Sequence, residues 1–290
     1  MKVLITGIDG FTGIHLSRYL ANAGYEIYGT SLKKEEKNIF KCDITNKEEI
    51  KAVIEKINPD YIIHLAAISF VAHANNEEFY KVNTLGTQNL LESLINPKKV
   101  IIASSAVIYG PQNSEVLTES MCPNPNNHYG ISKFGAEQIG KNYFEKFNMV
   151  ITRPFNYTGP FQSEKFLIPK IVKHYKEHKK EIRLGNLDVF REINSIDFVC
   201  EVYKRLLEKD VKNTIVNIAS KRAIHLKKII EIMNDIAGYK IKIIKDERFI
   251  RKNDIKKLIG DNILLKKLIG EVENKSIEEI LKEMYNAWDS

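Results

Sequence analysis

Cysteine is scarce in this chain: Cys42, Cys122 and Cys200 are the only three in 290 residues, widely spaced and odd in number. That count argues against a disulfide framework and against a cysteine-based zinc site, and no metal site is expected. Long apolar runs are missing too. None approaches the roughly 18–20 residues that a membrane span needs. Residues 1–7 enter a strand-like segment with no signal-peptide pattern, so a cytoplasmic location without a membrane partner is expected. Nor does charge of one sign dominate. The 44 Lys+Arg outnumber the 37 Asp+Glu by only seven, and the lysines are scattered through helical stretches. A nucleic-acid reader would gather them on one stripe with stacking aromatics, so no nucleic-acid partner is expected; a small anionic ligand suits the balance better. Hydrophobic residues at 43% and charged residues at 28% exclude a disordered or collagen-like chain.

What is present is an alternation of strand and helix patterns. Lys2–Thr6 reads as a buried strand, with further strands at 25–29, 61–65, 100–104 and 150–153. Helical stretches fall at Lys47–Ile57, 77–94 and 130–147. This repetition predicts an α/β fold, a Rossmann-type doubly wound parallel sheet. After Pro154 the pattern changes. A loop with Gly159, Pro160 and Pro169 leads to a basic helix at 171–180, a short strand near Arg183 and a last helix at 276–288. Residues 1–156 are therefore expected to form the dinucleotide-binding domain, with returning segments near 190–220. Residues 157–290 would supply a smaller α/β C-terminal substrate lobe.

The segment Thr6-Gly7-Ile8-Asp9-Gly10-Phe11-Thr12-Gly13 joins the first strand to the first helix. Glycines three apart permit a tight turn, close backbone approach to a pyrophosphate and close helix–strand packing. The helix N-terminus adds free N–H groups and partial positive charge. A dinucleotide is the expected cofactor, held by Gly7, Asp9, Gly10, Phe11, Thr12 and Gly13. At the end of the second strand stand Thr30 and Ser31, with Lys33 and Lys34 beyond and no carboxylate before Glu35. Hydroxyls and lysines suit a 2′-phosphate, so NADP(H) is preferred over NAD(H), which remains possible. Asp43, beside Ile44, is placed either to meet the adenine amino group or to close a strand-end turn.

Tyr129 and Lys133 lie four residues apart at the start of a helix and so share a face. A free phenol titrates near pH ~10, and a neighbouring ammonium favours its ionised form, which gives the spacing a proton-transfer rationale. Ser104 and Ser105 follow the apolar run 99–103, at the carboxyl end of a strand, where open α/β sheets bind ligands.

Glycine loop, serine at a strand end, then tyrosine and lysine, in that order, resemble the extended short-chain dehydrogenase/reductase superfamily, its NAD-dependent epimerase/dehydratase family. The resemblance covers nearly the whole chain. It implies that Ser105, Tyr129 and Lys133 are catalytic, that Leu65, Ala66 and Ala67 flank the cofactor, and that Asn83 steadies the site. The block from Arg153 to Pro160 implies a sugar-diphosphate contact at Asn156. Gly185-Asn186-Leu187-Asp188 with Arg191 is similar to the nucleotide-sugar contact region of GDP-mannose dehydratases and GDP-6-deoxy-4-keto-mannose reductases. Ser69, Ser105, Ala106, Val107, Phe166, Asn186, Arg191, Arg251 and Asp254 complete the expected substrate contacts. The resemblance further implies a homodimer.

Dehydratases of this branch place carboxylates just after the catalytic hydroxyl, because removing water needs an acid and a base. Ala106 and Val107 cannot titrate. The expected function is therefore NAD(P)H-dependent reduction of the C4 ketone of a nucleotide-linked 4-keto-6-deoxy sugar, GDP-linked, hexose or heptose, for surface polysaccharide synthesis. A nucleotide-sugar epimerase with no net redox is the alternative, and a catalytically silent NAD(P)-sensing protein the third reading. Among other patterns, His174-x-x-Glu177-His178 resembles a zinc motif, but Lys173, Lys176, Lys179 and Lys180 surround it. Tyr109 lacks a lysine partner and is expected to pack or line the pocket rather than donate protons.

Overall fold

The computed structural model describes residues 1–71, 73–249 and 256–287. Seven strands form its large sheet: β1 (Lys2–Thr6), β2 (Glu26–Ser31), β3 (Ile39–Lys41), β4 (Tyr61–His64), β5 (Lys99–Ala103), β6 (Met149–Pro154) and β7 (Thr214–Ile218). Their spatial order is β7-β6-β5-β4-β1-β2-β3 and every neighbouring pair is parallel. Strand order reverses beside β1, so the crevice at the carboxyl ends of β1 and β4 is the topological switch point where such sheets bind ligands.

The helices are α1 (Phe11–Asn22), α2 (Lys47–Ile57), α3 (Gly86–Ser93), α4 (His128–Lys141), α5 (Leu167–Lys176), α6 (Ile196–Glu208), α7 (Leu226–Ala237), α8 (Ile263–Ile269) and α9 (Ile277–Asn286). Successive side chains of a strand face opposite ways, and β1 shows the consequence. Val3 and Ile5 pack with Leu16, Leu20, Val199 and Leu206 on one side of the sheet. Leu4 packs with Ile50, Leu90 and Leu91 on the other. Covered on both faces, the strands have to be apolar throughout, which is why they read as continuous runs. Asn46, Asn127 and Ser195 each accept a backbone N–H at the starts of α2, α4 and α6, caps worth about 1 kcal/mol apiece.

A second core gathers α5, α7 and α9 around Ile171, Tyr175, Ile229, Met233 and Leu281. It is joined by a parallel strand pair, Glu181–Leu184 with Lys242–Lys245. A four-stranded sheet, ordered Ala223–His225, Phe190–Glu192, Lys257–Gly260 and Val116–Leu117, ties this region to the loop after β5. No helix among the described residues is long and apolar enough to cross a membrane.

Three local expectations are corrected. The basic helix runs Leu167–Lys176 rather than 171–180, with Pro169 in its first turn. A proline there sacrifices only an N–H that has no intrahelical partner. The stretch 77–94 is not one α-helix: Asn76–Phe79 leads into a π-helical turn, Tyr80–Leu85, before α3. The helix carrying Tyr129 and Lys133 ends at Lys141, short of residue 147.

Candidate active site

The glycine loop is packed too closely to admit side chains. Gly7 has φ +69°, and a Cβ there would meet Ala66 Cα at 2.9 Å; one on Gly13 would meet the Gly7 carbonyl oxygen at 2.4 Å. The loop is fastened to β2 because Gly7 N and Ile8 N both donate to Thr30 O, at 3.0 and 3.1 Å. Gly10 precedes α1 with no side chain capping the helix, so the first-turn N–H groups are left for an anion. A cradle that admits no side chain at Gly7 or Gly13, closed by an uncapped helix start, suits a dinucleotide pyrophosphate.

Thr12, from the same loop, shares a 2.7 Å hydrogen bond with Tyr157. This ties the loop to the block that begins at Arg153. Ser31 donates to the Asp9 carboxylate at 2.7 Å. The strand end that lacks a carboxylate in sequence therefore has one in space. Asp43 follows β3, where its Oδ1 accepts from Thr45 N and Thr45 Oγ1 in a strand-end turn.

The motif residues beside the loop form a buried polar chain. His64 bridges Thr6 Oγ1 at 2.7 Å and Thr87 Oγ1 at 2.9 Å, and Thr87 in turn donates to the Asn83 carbonyl. Asn83, in the π-helical turn, accepts from Ile68 N and donates to Ile68 O and Ser132 Oγ. It thereby joins the segment after β4 to α4, one residue from Lys133. Burial pushes His64 down to about 3, with the Lys133 charge adding to the effect. The folded protein thus holds His64 neutral, while the unfolded chain takes up a proton below its ordinary value near ~6.5. This contribution to stability is complete above that pH. It should fall by up to about 1.4 kcal/mol per pH unit as acid carries the protein from 6.5 toward 3. Thermal unfolding followed from pH 7 to pH 4 checks this: His64→Gln should flatten the slope by about one proton, and identical slopes would refute it.

Ser105, Tyr129 and Lys133 come together at the carboxyl end of β5, 8%, 9% and 3% exposed. Ser105 caps a short helical turn, Ala106–Tyr109, by accepting from Val107 N at 3.2 Å. Its own proton is directed at the Tyr129 phenol. Burial pushes the Tyr129 phenol up, and the Ser105 hydroxyl works against that. Burial also brings Lys133 down to about 8, opposed by Glu137 one turn later. Ser104 is 4% exposed and its Oγ has no hydrogen-bond partner among the described residues. Tyr109 is fully buried, donating to Asn217 Oδ1 and accepting from Arg153 Nη1, a packed structural role.

The other expected contacts are more dispersed. Leu65, Ala66 and Ala67 are half-buried after β4, and Leu65 N and Ala66 N both donate to Thr6 Oγ1. Ser69 is exposed nearby, and Phe166 meets Phe70 edge-on at 6.2 Å. Asn156 exposes its side chain, while its carbonyl accepts from Asn194 N. Asn186 closes a turn by accepting from Asp188 N. Arg191 lies on the strand Phe190–Glu192 and donates to Phe190 O. Arg251 and Asp254 lie outside the described residues.

Sequence reasoning missed Glu137 and Arg153 as a pair. They form a fully buried, two-pronged ion pair beneath the site, at 2.8 and 3.0 Å. The available signal was Glu137 at i+4 from Lys133, on the buried face of the same helix. The zinc-like histidine pattern dissolves in space: α5 ends at Lys176, and His178 has left the helix with φ +51°.

A family model described as GDP-mannose 4,6 dehydratase matches residues 4–284. GDP-6-deoxy-D-talose 4-dehydrogenase of Aggregatibacter actinomycetemcomitans is 37% identical, over 98% of this chain and 97% of its own. GDP-6-deoxy-D-mannose reductase of Pseudomonas aeruginosa is 26% identical, over 100% and 97%. The solved structure of RMD from Pseudomonas aeruginosa complexed with NADPH superposes with a TM-score of 0.88 at 25% identity, covering 99% of this chain and 98% of that one. With the glycine loop, the seven-stranded parallel sheet and the Ser105, Tyr129 and Lys133 arrangement already in place, these matches make the chain a member of the GDP-mannose 4,6 dehydratase family of extended short-chain dehydrogenases/reductases.

Proposed function

We propose that the protein is an NAD(P)(H)-dependent oxidoreductase acting at C4 of a GDP-linked 6-deoxy sugar, working as a reductase of the 4-keto form. The observation that carries this reading is the pairing of an intact Ser105, Tyr129 and Lys133 set with Ala106 and Val107 in the turn that Ser105 caps. Dehydration needs an acid and a base at that turn, and these two side chains supply neither. Ketone reduction needs one proton donor and one hydroxyl to orient the oxygen. Two of the similar proteins are named for chemistry on GDP-6-deoxy sugars, one a 4-dehydrogenase and one a reductase. Talose and mannose differ at C4, so the pair shares a reaction centre and differs in the face that is used.

The dinucleotide, when bound, supplies or accepts the hydride at that carbon. Gly7, Gly10 and Gly13 would hold its pyrophosphate, and Lys133 its ribose. Tyr129 donates a proton to the C4 oxygen, and burial favours the neutral phenol that this direction requires. Ser105, whose hydroxyl already acts on the Tyr129 phenol, would orient the oxygen with its O–H. Asn156 and Arg191 would anchor the sugar nucleotide so that binding energy away from the reacting carbon orients it.

The test is an assay with GDP-, dTDP-, UDP- and CDP-linked 4-keto-6-deoxy sugars and both reduced dinucleotides. One equivalent of dinucleotide should be consumed per product with the GDP-linked ketone, and the C4 configuration is read by NMR. No oxidation with any ketone would overturn the proposal, and product formed without net oxidation would make the protein an epimerase.

A further inference from the structure

The carboxyl end of β2 is where the two nicotinamide dinucleotides differ, because it faces the ribose carrying either a 2′-hydroxyl or a 2′-phosphate. Ser31 stands there, 2% exposed, and its hydroxyl is fully committed. The O–H donates to Asp9 Oδ2 at 2.7 Å, while Oγ accepts from Lys33 N and Lys34 N, each at 3.0 Å. A hydroxyl has one proton, so Ser31 has none left to offer a phosphate. The nearby Lys34 ammonium lies 3.9 Å from Glu36, which partly offsets its charge.

Asp9 reaches this strand end from the glycine loop, 22 residues earlier, because the loop is clamped to Thr30 by two backbone hydrogen bonds. Dinucleotide sites that favour NAD usually carry their acidic residue about 20 residues beyond the glycine loop, where it accepts from the 2′-hydroxyl. Here the carboxylate arrives from inside the loop itself. Resting on the dinucleotide reading above, we propose that Asp9 is the residue that discriminates between the two dinucleotides, accepting from a ribose 2′-hydroxyl and repelling a 2′-phosphate. Lys33 acts in the opposite sense, and the ratio of NADP(H) to NAD(H) use reflects the balance of the two.

Asp9→Asn tests this, since the amide oxygen still accepts from Ser31 while the charge is gone. Asp9→Ser is the second variant, removing the charge with a shorter side chain. Wild type and both variants are titrated with NAD⁺ and NADP⁺ by calorimetry, and KM for NADH and NADPH is measured on the GDP-linked ketone. The affinity for NADP⁺ relative to NAD⁺ should rise about tenfold or more in each variant, with KM values following. An unchanged ratio in a variant that still binds NAD⁺ would overturn this inference alone. Failure of the wild type to bind either dinucleotide would overturn the dinucleotide reading and this inference with it.

Discussion

Tyr129→Phe is expected to lower turnover about 10²–10⁴-fold, the range for removing a positioned general acid, while leaving dinucleotide affinity within about twofold. The substitution is conservative in packing. The Tyr129 ring sits 6.1 Å from Phe79, centroid to centroid, and is buried within α4; a phenyl ring keeps those contacts. Only the hydroxyl is lost, and it is the group whose proton the ketone oxygen would receive. Lys133 and Ser105 remain, so orientation of the substrate is retained and the loss should fall on kcat rather than KM. Steady-state kinetics with the GDP-linked ketone, beside calorimetric titration of the dinucleotide, separates the two quantities. A folded variant with near wild-type kcat would remove Tyr129 from the role of proton donor. A parallel loss of dinucleotide binding would instead give Tyr129 a role in holding the cofactor.

The central strands of the large sheet were readable in the sequence because they are buried on both faces and so carry unbroken apolar runs: Val3, Leu4 and Ile5 in β1, Val100, Ile101 and Ile102 in β5; the edge strand β3, three residues long with Lys41 exposed, carries no such run and was not expected. The helical stretch expected near Lys47–Ile57 is α2, whose four buried positions, Ile50, Val53, Ile54 and Ile57, lie on one face. That Tyr129 and Lys133 share one helix was readable from their spacing, whereas the role expected of Ser105 came from the resemblance. Features that depend on contacts between distant segments were not. Pro169 reads as a loop residue until the start of α5 is placed by its buried Ile168 and Ile171. The π-helical turn at Tyr80–Leu85 leaves no mark in an apolar pattern, yet it contains Asn83, which joins Ile68 to Ser132. The carboxylate at the end of β2 was hidden because it belongs to another part of the chain, and pattern reading looks along a strand rather than across to the loop beside it. The same blindness concealed the charge pair beneath the catalytic residues.

That pair yields the largest expected effect on stability. Arg153 lies at the end of β6 and Glu137 in α4, with side chains 2% and 0% exposed. Two hydrogen bonds, Nε to Oε1 at 3.0 Å and Nη2 to Oε2 at 2.8 Å, join them, and Arg153 Nη1 also donates to the Tyr109 hydroxyl. Neither charge reaches water, so removing one strands the other. Glu137→Gln should cost about 3–5 kcal/mol, the range for breaking a buried pair by loss of one partner. At the usual unfolding entropy per residue, that lowers the melting temperature by about 5–8 °C in a chain of this length. Replacing both residues, Glu137→Met with Arg153→Leu, should recover most of that loss, since an apolar pair of similar volume needs no desolvation. A second readout links the pair to the site. Glu137 raises the pKa of Lys133 against the burial that brings it down to about 8, so the Gln variant should deprotonate Lys133 at still lower pH. If Lys133 holds the ribose as its ammonium, the alkaline loss of dinucleotide affinity should move to lower pH in that variant. Thermal unfolding of the single and double variants, with dinucleotide titrations from pH 6 to pH 9, measures both effects. A single variant as stable as wild type would show that the pair carries no such penalty, and an unmoved alkaline limb would uncouple Glu137 from Lys133.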